Sequence, residues 1–294
     1  MHRLLKWLSR RSLRHLHAGG ALLGWLAYLL SAHYRRRLCD NAALAGLAPQ
    51  DRRASVAQAG QLVTELPRLW LRPAHQAIED PVQWENAELI DLHLQPGRGL
   101  LLLTPHLGCF EIAAQAYAER FGQVQPITVL YRPARQPWLR ELEEAARARP
   151  ALHTAPANLA GVRQMMRALR KGQTLGVLPD QVPPDGMGVW APFFGQPAYT
   201  MTLVPRLVQQ TGAAVLLIWA ERLPRGAGYV VRLRELPQPL PAPPVKPSPA
   251  EDQAWLLSCA TSINRAMESV ILQLPSQYLW AYHRYKQPRR LPTR

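Results

Sequence analysis

The feature that most restricts the fold is an alternation of short apolar runs and amphipathic stretches within residues 97–236. The first run, Leu100 to Leu103, is four consecutive leucines bounded by Gly99 and Thr104, as expected of a buried strand. Further strands are predicted at 127–131, 174–178 and 213–220, and helices at 111–120, 137–149, 161–170 and 203–210. This alternation predicts an α/β fold, with a mixed, largely parallel central sheet flanked by helices.

The regions around this core have their own composition. Residues 41–95 have near-helical apolar spacing and are predicted to be a helical lead-in. Residues 237–249 contain seven prolines and predict an extended connection. Ser248, Pro249 and Glu251 have the spacing of a capping box, which predicts a C-terminal helix over 250–274. We therefore expect one domain over 39–294, with its α/β core at 97–236.

Residues 1–38 form a separate basic and apolar segment. They contain eight basic residues and no acidic one, and an uncharged run of 15 residues extends from Ala18 to Ala32. This run is shorter than the roughly 18–20 residues that usually span a bilayer. The basic flanks, together with Trp7, Trp25 and Tyr28, favour helices at an anionic membrane interface. We therefore expect the α/β domain to be preceded by N-terminal membrane-associated helices. The alternative for residues 18–32 is a helix buried in the protein core.

The charge balance restricts the partners. The 35 Lys and Arg residues against 20 Asp and Glu residues give a net charge of +15, which favours an anionic membrane, an acidic protein or a nucleic acid. Nucleic acid is disfavoured, because the charge is concentrated at the termini and no recognisable binding module is present. The three cysteines, Cys39, Cys109 and Cys259, lack CxxC spacing and predict neither a disulfide framework nor a zinc site. We expect no cofactor and no metal.

Polar residues follow each of the four predicted strands. In an open α/β sheet, ligands bind at the carboxyl ends of the strands, so these residues predict the rim of an active site. In strand order they are His106 and Glu111; Arg132; Asp180 and Gln181; and Glu221 and Arg222.

His106 and Glu111 carry the most specific prediction. A histidine is well suited to act as a general base near neutral pH, and a carboxylate bonded to its second ring nitrogen would orient it. On one continuous helix the two side chains would lie about 140° apart, so His106 must precede the helix and Glu111 must lie in its first turn. Gly108 would ease the intervening bend. The alternative is a hydrogen-bonded loop histidine with a solvated Glu111.

These residues resemble a known family. The segment from His106 to Glu111 is similar to the H-x4-D/E box of glycerolipid acyltransferases, in the version with Glu seen in bacterial lipid A late acyltransferases. The likeness covers almost the whole chain. It includes Leu22–Leu30, Tyr131-Arg-Pro133, Gly176-Val-Leu-Pro-Asp-Gln181, Pro192-Phe-Phe-Gly195 with Thr200, and Gln277–Lys286. The pair Cys109-Phe110 stands where many members have Asn-Trp, so the subgroup and acyl-chain length stay open.

The resemblance implies transfer of a fatty acyl group from an acyl carrier protein to a hydroxyl of a lipid A precursor. His106 would deprotonate that hydroxyl and Glu111 would orient His106. Arg132 would hold a phosphate or the oxyanion, unless it forms a surface ion pair. Asp180 and Gln181 would position the acceptor or form a structural turn, and Arg222 is a further candidate for substrate binding. Cys109 is expected to be a packed residue rather than a nucleophile.

The implied location is the cell inner membrane, with the catalytic domain facing the cytoplasm. Two alternatives to this function stay open. In the first, the protein is an acyltransferase whose acceptor is another bacterial glycolipid or aminolipid. In the second, it is a basic membrane-binding or nucleic-acid-binding protein without enzymatic activity. Both acyltransferase hypotheses require an apolar groove for the acyl chain, and the sequence does not locate it.

Overall fold

The computed structural model describes residues 2–93, 97–131, 134 and 136–290. Its helices are α1 (His2–Ser9), α2 (Leu13–Leu30), α3 (Ala32–Leu44), α4 (Pro49–Trp70), α5 (Glu88–His93), α6 (Phe110–Phe121), α7 (Pro137–Arg147), α8 (Leu159–Arg170), α9 (Leu203–Thr211) and α10 (Pro249–Ile271). Its strands are β1 (Val82–Glu85), β2 (Leu100–Leu103), β3 (Ile127–Tyr131), β4 (Leu152–Pro156), β5 (Thr174–Val177), β6 (Gly188–Phe193), β7 (Gln196–Met201), β8 (Ala214–Arg222) and β9 (Tyr229–Glu235).

The central sheet has seven strands in the order β1-β9-β8-β2-β5-β3-β4. The five strands from β8 to β4 run parallel to one another, while β9 pairs antiparallel with β8 and β1 pairs parallel with β9. The strands β6 and β7 form a separate antiparallel hairpin. The predicted α/β class with a mixed, largely parallel sheet flanked by helices is confirmed.

The leucines of β2 show how the core is built. Leu101 and Leu103 belong to the cluster that packs against α8, α9 and α10, whereas Leu100 and Leu102 belong to the cluster on the opposite side, against α6. Successive side chains in a strand point to opposite faces, so a strand covered on both faces needs apolar residues throughout. All four side chains are at most 1% exposed.

Several predicted boundaries are confirmed. The strands predicted at 100–103 and 127–131 have those bounds in the structure. Ser248 caps α10 through the predicted capping box, accepting from the backbone N–H of Glu251 while the Glu251 carboxylate accepts from the backbone N–H of Ser248. The helix ends at Ile271 rather than at residue 274.

The prediction that residues 41–95 are helical throughout is wrong in part. The helix α4 ends at Trp70, and β1 forms at the edge of the sheet within the predicted lead-in. At four residues, β1 is too short to show a distinct period of its own. The strands β4, β6, β7 and β9 were not predicted from the sequence either. The hairpin of β6 and β7 packs on α10, where Asn264 donates to the carbonyl of Pro192 and to Thr200.

The N-terminal helices α2 and α4 pack closely through glycines. A Cβ atom on Gly60 would lie 1.9 Å from the carbonyl oxygen of Gly20, and one on Gly24 would lie 2.1 Å from that of Val56. Gly20 and Gly24 are one helical turn apart, so together they give one face of α2 that admits the backbone of α4. Substitution of these glycines would therefore separate the helices.

The face of α2 that points away from α4 is exposed and apolar. Leu22, Leu29 and Leu30 are 73%, 66% and 78% exposed, and Leu26 is 50% exposed. None of the helices in the described ranges combines the length and hydropathy needed to cross a membrane.

Candidate active site

His106 lies in the turn between β2 and α6, at the carboxyl end of a central strand. The turn is held in place at Gly108, which has a φ of +58°. A Cβ atom there would lie 1.9 Å from the carbonyl oxygen of Ala220 at the end of β8, so only glycine fits. The backbone N–H groups of Gly108 and Cys109 donate to the carbonyls of Gln277 and Ala220. The position of His106 is thereby set by two distant parts of the chain.

The imidazole of His106 is bonded at both nitrogens. Nδ1 lies 2.7 Å from Oδ1 of Asp180, whose Oδ2 accepts from the backbone N–H of His106 at 2.9 Å. Nε2 lies 2.9 Å from the amide nitrogen of Gln181. The carboxylate and the amide together define the tautomer: Nδ1 donates to Asp180, and the Nε2 lone pair accepts from Gln181. His106 is thus arranged with Nε2 as its basic atom.

Asp180 is ionised although it is only 2% exposed. Burial raises the pKa of its carboxyl, but the adjacent His106 and the hydrogen bonds from its ring and backbone outweigh burial, so the pKa lies below its usual value. The buried guanidinium of Arg284 lowers it further. Tyr278 lies beside the same carboxylate, and burial together with the charge of Asp180 raises the pKa of its hydroxyl well above 10.

Glu111 lies in the first turn of α6, as predicted, but its side chain contacts a different residue. Its carboxylate accepts from Nη2 of Arg147 at 2.5 Å, and the Arg147 guanidinium lies over the ring of Tyr131. Within the described residues, no hydrogen bond joins Glu111 to His106. In this structure the residue that orients His106 is Asp180, and the predicted role of Glu111 as the orienting acid stays a prediction.

The other predicted site residues differ in their surroundings. Gln181 and Asp180 lie against His106, at the end of β5, which pairs with β2. Arg222 is 2% exposed and donates to Glu65 at 2.9 Å and to the carbonyl of Gly108 at 2.8 Å. It therefore stabilises the His106 turn through the carbonyl of Gly108, while its predicted contact with substrate stays a prediction. Arg132 lies outside the described residues.

The carboxylate of Glu65 is completely buried and connects the N-terminal helices to the core. It accepts from Arg222 in β8, from Tyr229 in β9 and from the ring of His17 in α2. Burial raises the pKa of Glu65, but Arg222 and His17 outweigh burial and leave the pKa below its usual value. Removing either Arg222 or Glu65 would leave the other as an uncompensated buried charge, which costs about 3–5 kcal/mol in such pairs.

A cavity of about 490 Å³ opens onto the site. His106, Asp180 and Gln181 form its polar part, and most of its remaining lining is apolar. The apolar lining comes from α2, α3, α4 and the segment after α10, and includes Leu23, Leu38, Ala59, Val63, Leu279 and Trp280. Its size lies within the range of about 300–1,000 Å³ typical of ligand pockets. The cavity provides the apolar space that an acyl chain would need.

Sequence reasoning missed one contact and one part of this site. Asp180 was placed on the rim, but its contact with His106 depends on β2 and β5 being neighbours in the sheet. The cavity walls come from segments separated by more than 200 residues of sequence. No local pattern marks such a combination.

These features define a class of site. It consists of a histidine oriented by a buried carboxylate at the carboxyl ends of parallel strands, and it opens into an apolar cavity. Such a site can take a proton from a polar group of an apolar substrate.

Comparison with known proteins agrees with this class and gives the family. Residues 4–287 match the family described as bacterial lipid A biosynthesis acyltransferase, and the chain belongs to it. It is 28% identical over 199 residues to the lipid A biosynthesis lauroyltransferase of Escherichia coli K12, covering 67% of this chain and 60% of that protein. It is 25% identical over 190 residues to the lipid A biosynthesis palmitoleoyltransferase of the same strain and to a lipid A biosynthesis acyltransferase of Shigella flexneri. Each match covers 64% of this chain and 56% of the relative, so the chain spans less than two thirds of these proteins.

Proposed function

We propose that this protein transfers a fatty acyl group from an acyl carrier protein to a hydroxyl of a lipid A precursor. The observation that carries the proposal is the arrangement of His106, with Nδ1 bonded to Asp180 and Nε2 to Gln181, at the polar part of an apolar cavity. Membership of the lipid A acyltransferase family supports the acceptor class.

The proposed chemistry begins with the acceptor hydroxyl replacing the Gln181 amide at Nε2 of His106. The hydroxyl oxygen attacks the thioester carbonyl carbon as Nε2 takes the proton. Asp180 stabilises the imidazolium that forms, as the acid of a catalytic triad does. The carbon–sulfur bond then breaks, and the imidazolium returns the proton to the thiolate of the carrier. The acceptor hydroxyl is itself the nucleophile, so no acyl-enzyme intermediate is required.

Two further residues have proposed roles in this reaction. Glu111 stands in the first turn of α6 and holds Arg147 beside the site, and it is retained as a candidate for orienting His106 during the reaction. Arg132 directly follows β3, next to β5 in the sheet, and is the candidate for binding a phosphate or the oxyanion.

Membrane association is also proposed, at the cytoplasmic side of the inner membrane. It is supported by the exposed apolar face of α2 and by the basic residues on both sides of this helix in the sequence. A helix with this composition lies in the plane of an anionic interface with its apolar face in the lipid. The cavity lies beside the same helix, since Leu23, Gly24 and Ala27 line it.

A reconstituted transfer assay tests the proposal. Purified protein is incubated with acylated carrier protein and a lipid A precursor, and the product is identified by mass spectrometry. His106→Ala should lower the rate by about 10²–10⁴-fold without unfolding the protein, whereas His153→Ala, a control on the exposed side of β4, should be unaffected. If the protein acts only on other glycolipids or on aminolipids, the proposed acceptor is wrong. A fully active His106→Ala variant would refute the proposed mechanism.

A further inference from the structure

Four basic side chains meet where α3 faces the segment after α10. His33 and Arg37 lie one turn apart on α3, and Arg37 contacts the ring of His33. His283 and Lys286 come from the C-terminal segment, some 250 residues later in the sequence. We call these four residues the basic cluster. Burial lowers the pKa of His283, and so do the charges of Arg37, Lys286 and His33, in that order. The charged side chains that lower this pKa are thus all basic.

The basic cluster lacks counter-ions in the described part of the chain. None of its members is within 4.0 Å of a carboxylate oxygen there, including that of Asp40 on the next turn of α3. The ammonium of Lys286 instead lies 4.8 Å from the centre of the Tyr282 ring. Arg37 and Lys286 are cations without a carboxylate partner there, so an anion bound between them would be stabilised by both charges. The same anion would favour protonation of the two neighbouring imidazoles.

The basic cluster adjoins the active-site cavity. Tyr34 and Leu38, on either side of Arg37 in α3, line the cavity, and so does Tyr282, beneath Lys286. Asn41 joins the two segments, because its amide donates to the carbonyl oxygens of Trp280 at 2.6 Å and Tyr282 at 2.8 Å. A ligand that enters the cavity from this side would place its polar end beside the basic cluster.

We propose that the basic cluster binds a phosphate group of a substrate whose reacting end lies in the cavity. This inference rests on the proposed function. A lipid A precursor bears phosphate groups, and the phosphopantetheine arm that holds the acyl group on a carrier protein contains one as well. An arginine, a lysine and two imidazoles offer several donors to a tetrahedral anion. A compact group of four beside a cavity suits a single phosphate better than an acidic protein surface, whose charges are spread over a wide area.

The binding can be tested without activity, with pyrophosphate as the probe. The imidazole pKa values of His33 and His283 are measured by NMR with and without pyrophosphate. Bound phosphate should raise both, because it favours the charged imidazolium. The double variant Arg37→Gln/Lys286→Gln should lose this response, whereas Arg36→Gln, an exposed neighbour on the same helix, should retain it. An unchanged histidine titration with saturating pyrophosphate would overturn the proposal.

Kinetics then separates the two phosphate sources. Loss of two charged hydrogen-bond donors should raise KM for the phosphorylated substrate at least tenfold while leaving kcat within about threefold. If the increase in KM of the double variant disappears when the acceptor is dephosphorylated, the basic cluster binds the phosphate of the acceptor. If KM increases for an acyl-phosphopantetheine donor that lacks the carrier protein, the basic cluster binds the phosphate of the donor arm. An increase in KM seen only with the intact carrier protein would refute phosphate binding and indicate a protein-docking surface.

Discussion

Asp180 binds both the backbone N–H and the ring Nδ1 of His106, although 74 residues separate the two in the chain. The two contacts fix the ring in place and define its tautomer. They exist because β2 and β5 are adjacent and parallel, so that the residues following each strand meet at one edge of the sheet.

This relationship predicts that Asp180→Asn is more damaging than Glu111→Gln. The asparagine lacks the charge that stabilises the imidazolium, and its amide can select the other tautomer. We expect kcat to fall by about 10²–10⁴-fold in Asp180→Asn. Glu111→Gln breaks the ion pair with Arg147 and should leave a weaker but detectable rate. Steady-state kinetics of both purified variants checks this. The reverse ranking would give the orienting role to Glu111.

The lowered pKa of Asp180 also predicts a pH-dependent stability. A carboxyl whose pKa is lower in the folded state stabilises the fold fully above its unfolded pKa, about 3.9. That contribution is lost as the pH falls through the folded value. The free energy of unfolding of the wild type should therefore exceed that of Asp180→Asn by a margin that narrows below about pH 4. Urea unfolding from pH 7 to pH 3 measures the margin. A difference independent of pH would mean that the charge of Asp180 contributes nothing to stability.

The packing of α2 on α4 predicts opposite effects for two glycines. In Gly60→Ala the new Cβ atom would lie 1.9 Å from the backbone of Gly20, so the helices must separate. We expect a loss of at least about 1–3 kcal/mol in stability and reduced activity, because both helices line the cavity. The control Gly19→Ala meets nothing within 4 Å and should be neutral or stabilise α2 by up to about 1 kcal/mol. Thermal unfolding of both variants tests the packing. Equal melting temperatures would contradict it.

The exposed face of α2 predicts how membrane binding can be weakened without unfolding. Leu22, Leu26 and Leu30 lie on this face and are 50–78% exposed, so replacing them by serine should spare the core. The triple variant should bind anionic vesicles at least tenfold more weakly, since each buried apolar side chain contributes about 1.5–3 kcal/mol. Vesicle flotation measures the difference.

The control for that experiment is Leu159→Ser on α8, where the side chain is 66% exposed but remote in sequence from the N-terminal segment. Deleting residues 1–38 would be less informative, because α2 also forms a wall of the cavity. Wild-type binding by the triple variant would show that the exposed leucines do not anchor the protein.

Much of the secondary structure could be predicted because local patterns define it. The four leucines of β2 specify a strand covered on both faces, and the capping box at Ser248 specifies the start of α10. The position of His106 after a buried strand, with Glu111 in the following helical turn, was also predicted. The strands β1 and β4 were missed because short strands at the sheet edges lack a distinct pattern. In β9, by contrast, apolar and charged residues alternate from Val231 to Arg234 because one face packs on the core, and this local pattern is one from which a strand can be predicted.

The sequence by itself determined the α/β class, the position of His106 after a buried strand and the set of polar residues at the strand ends. Only the tertiary structure decided which of these residues meet. The strands β2 and β5 are both buried throughout, so their side chains carry no information about which strand lies beside which. Their adjacency places Asp180 rather than Glu111 against His106. The packing of α2, α3 and α4 against the C-terminal segment likewise creates the cavity, because it depends on close contacts between backbones that are far apart in the chain.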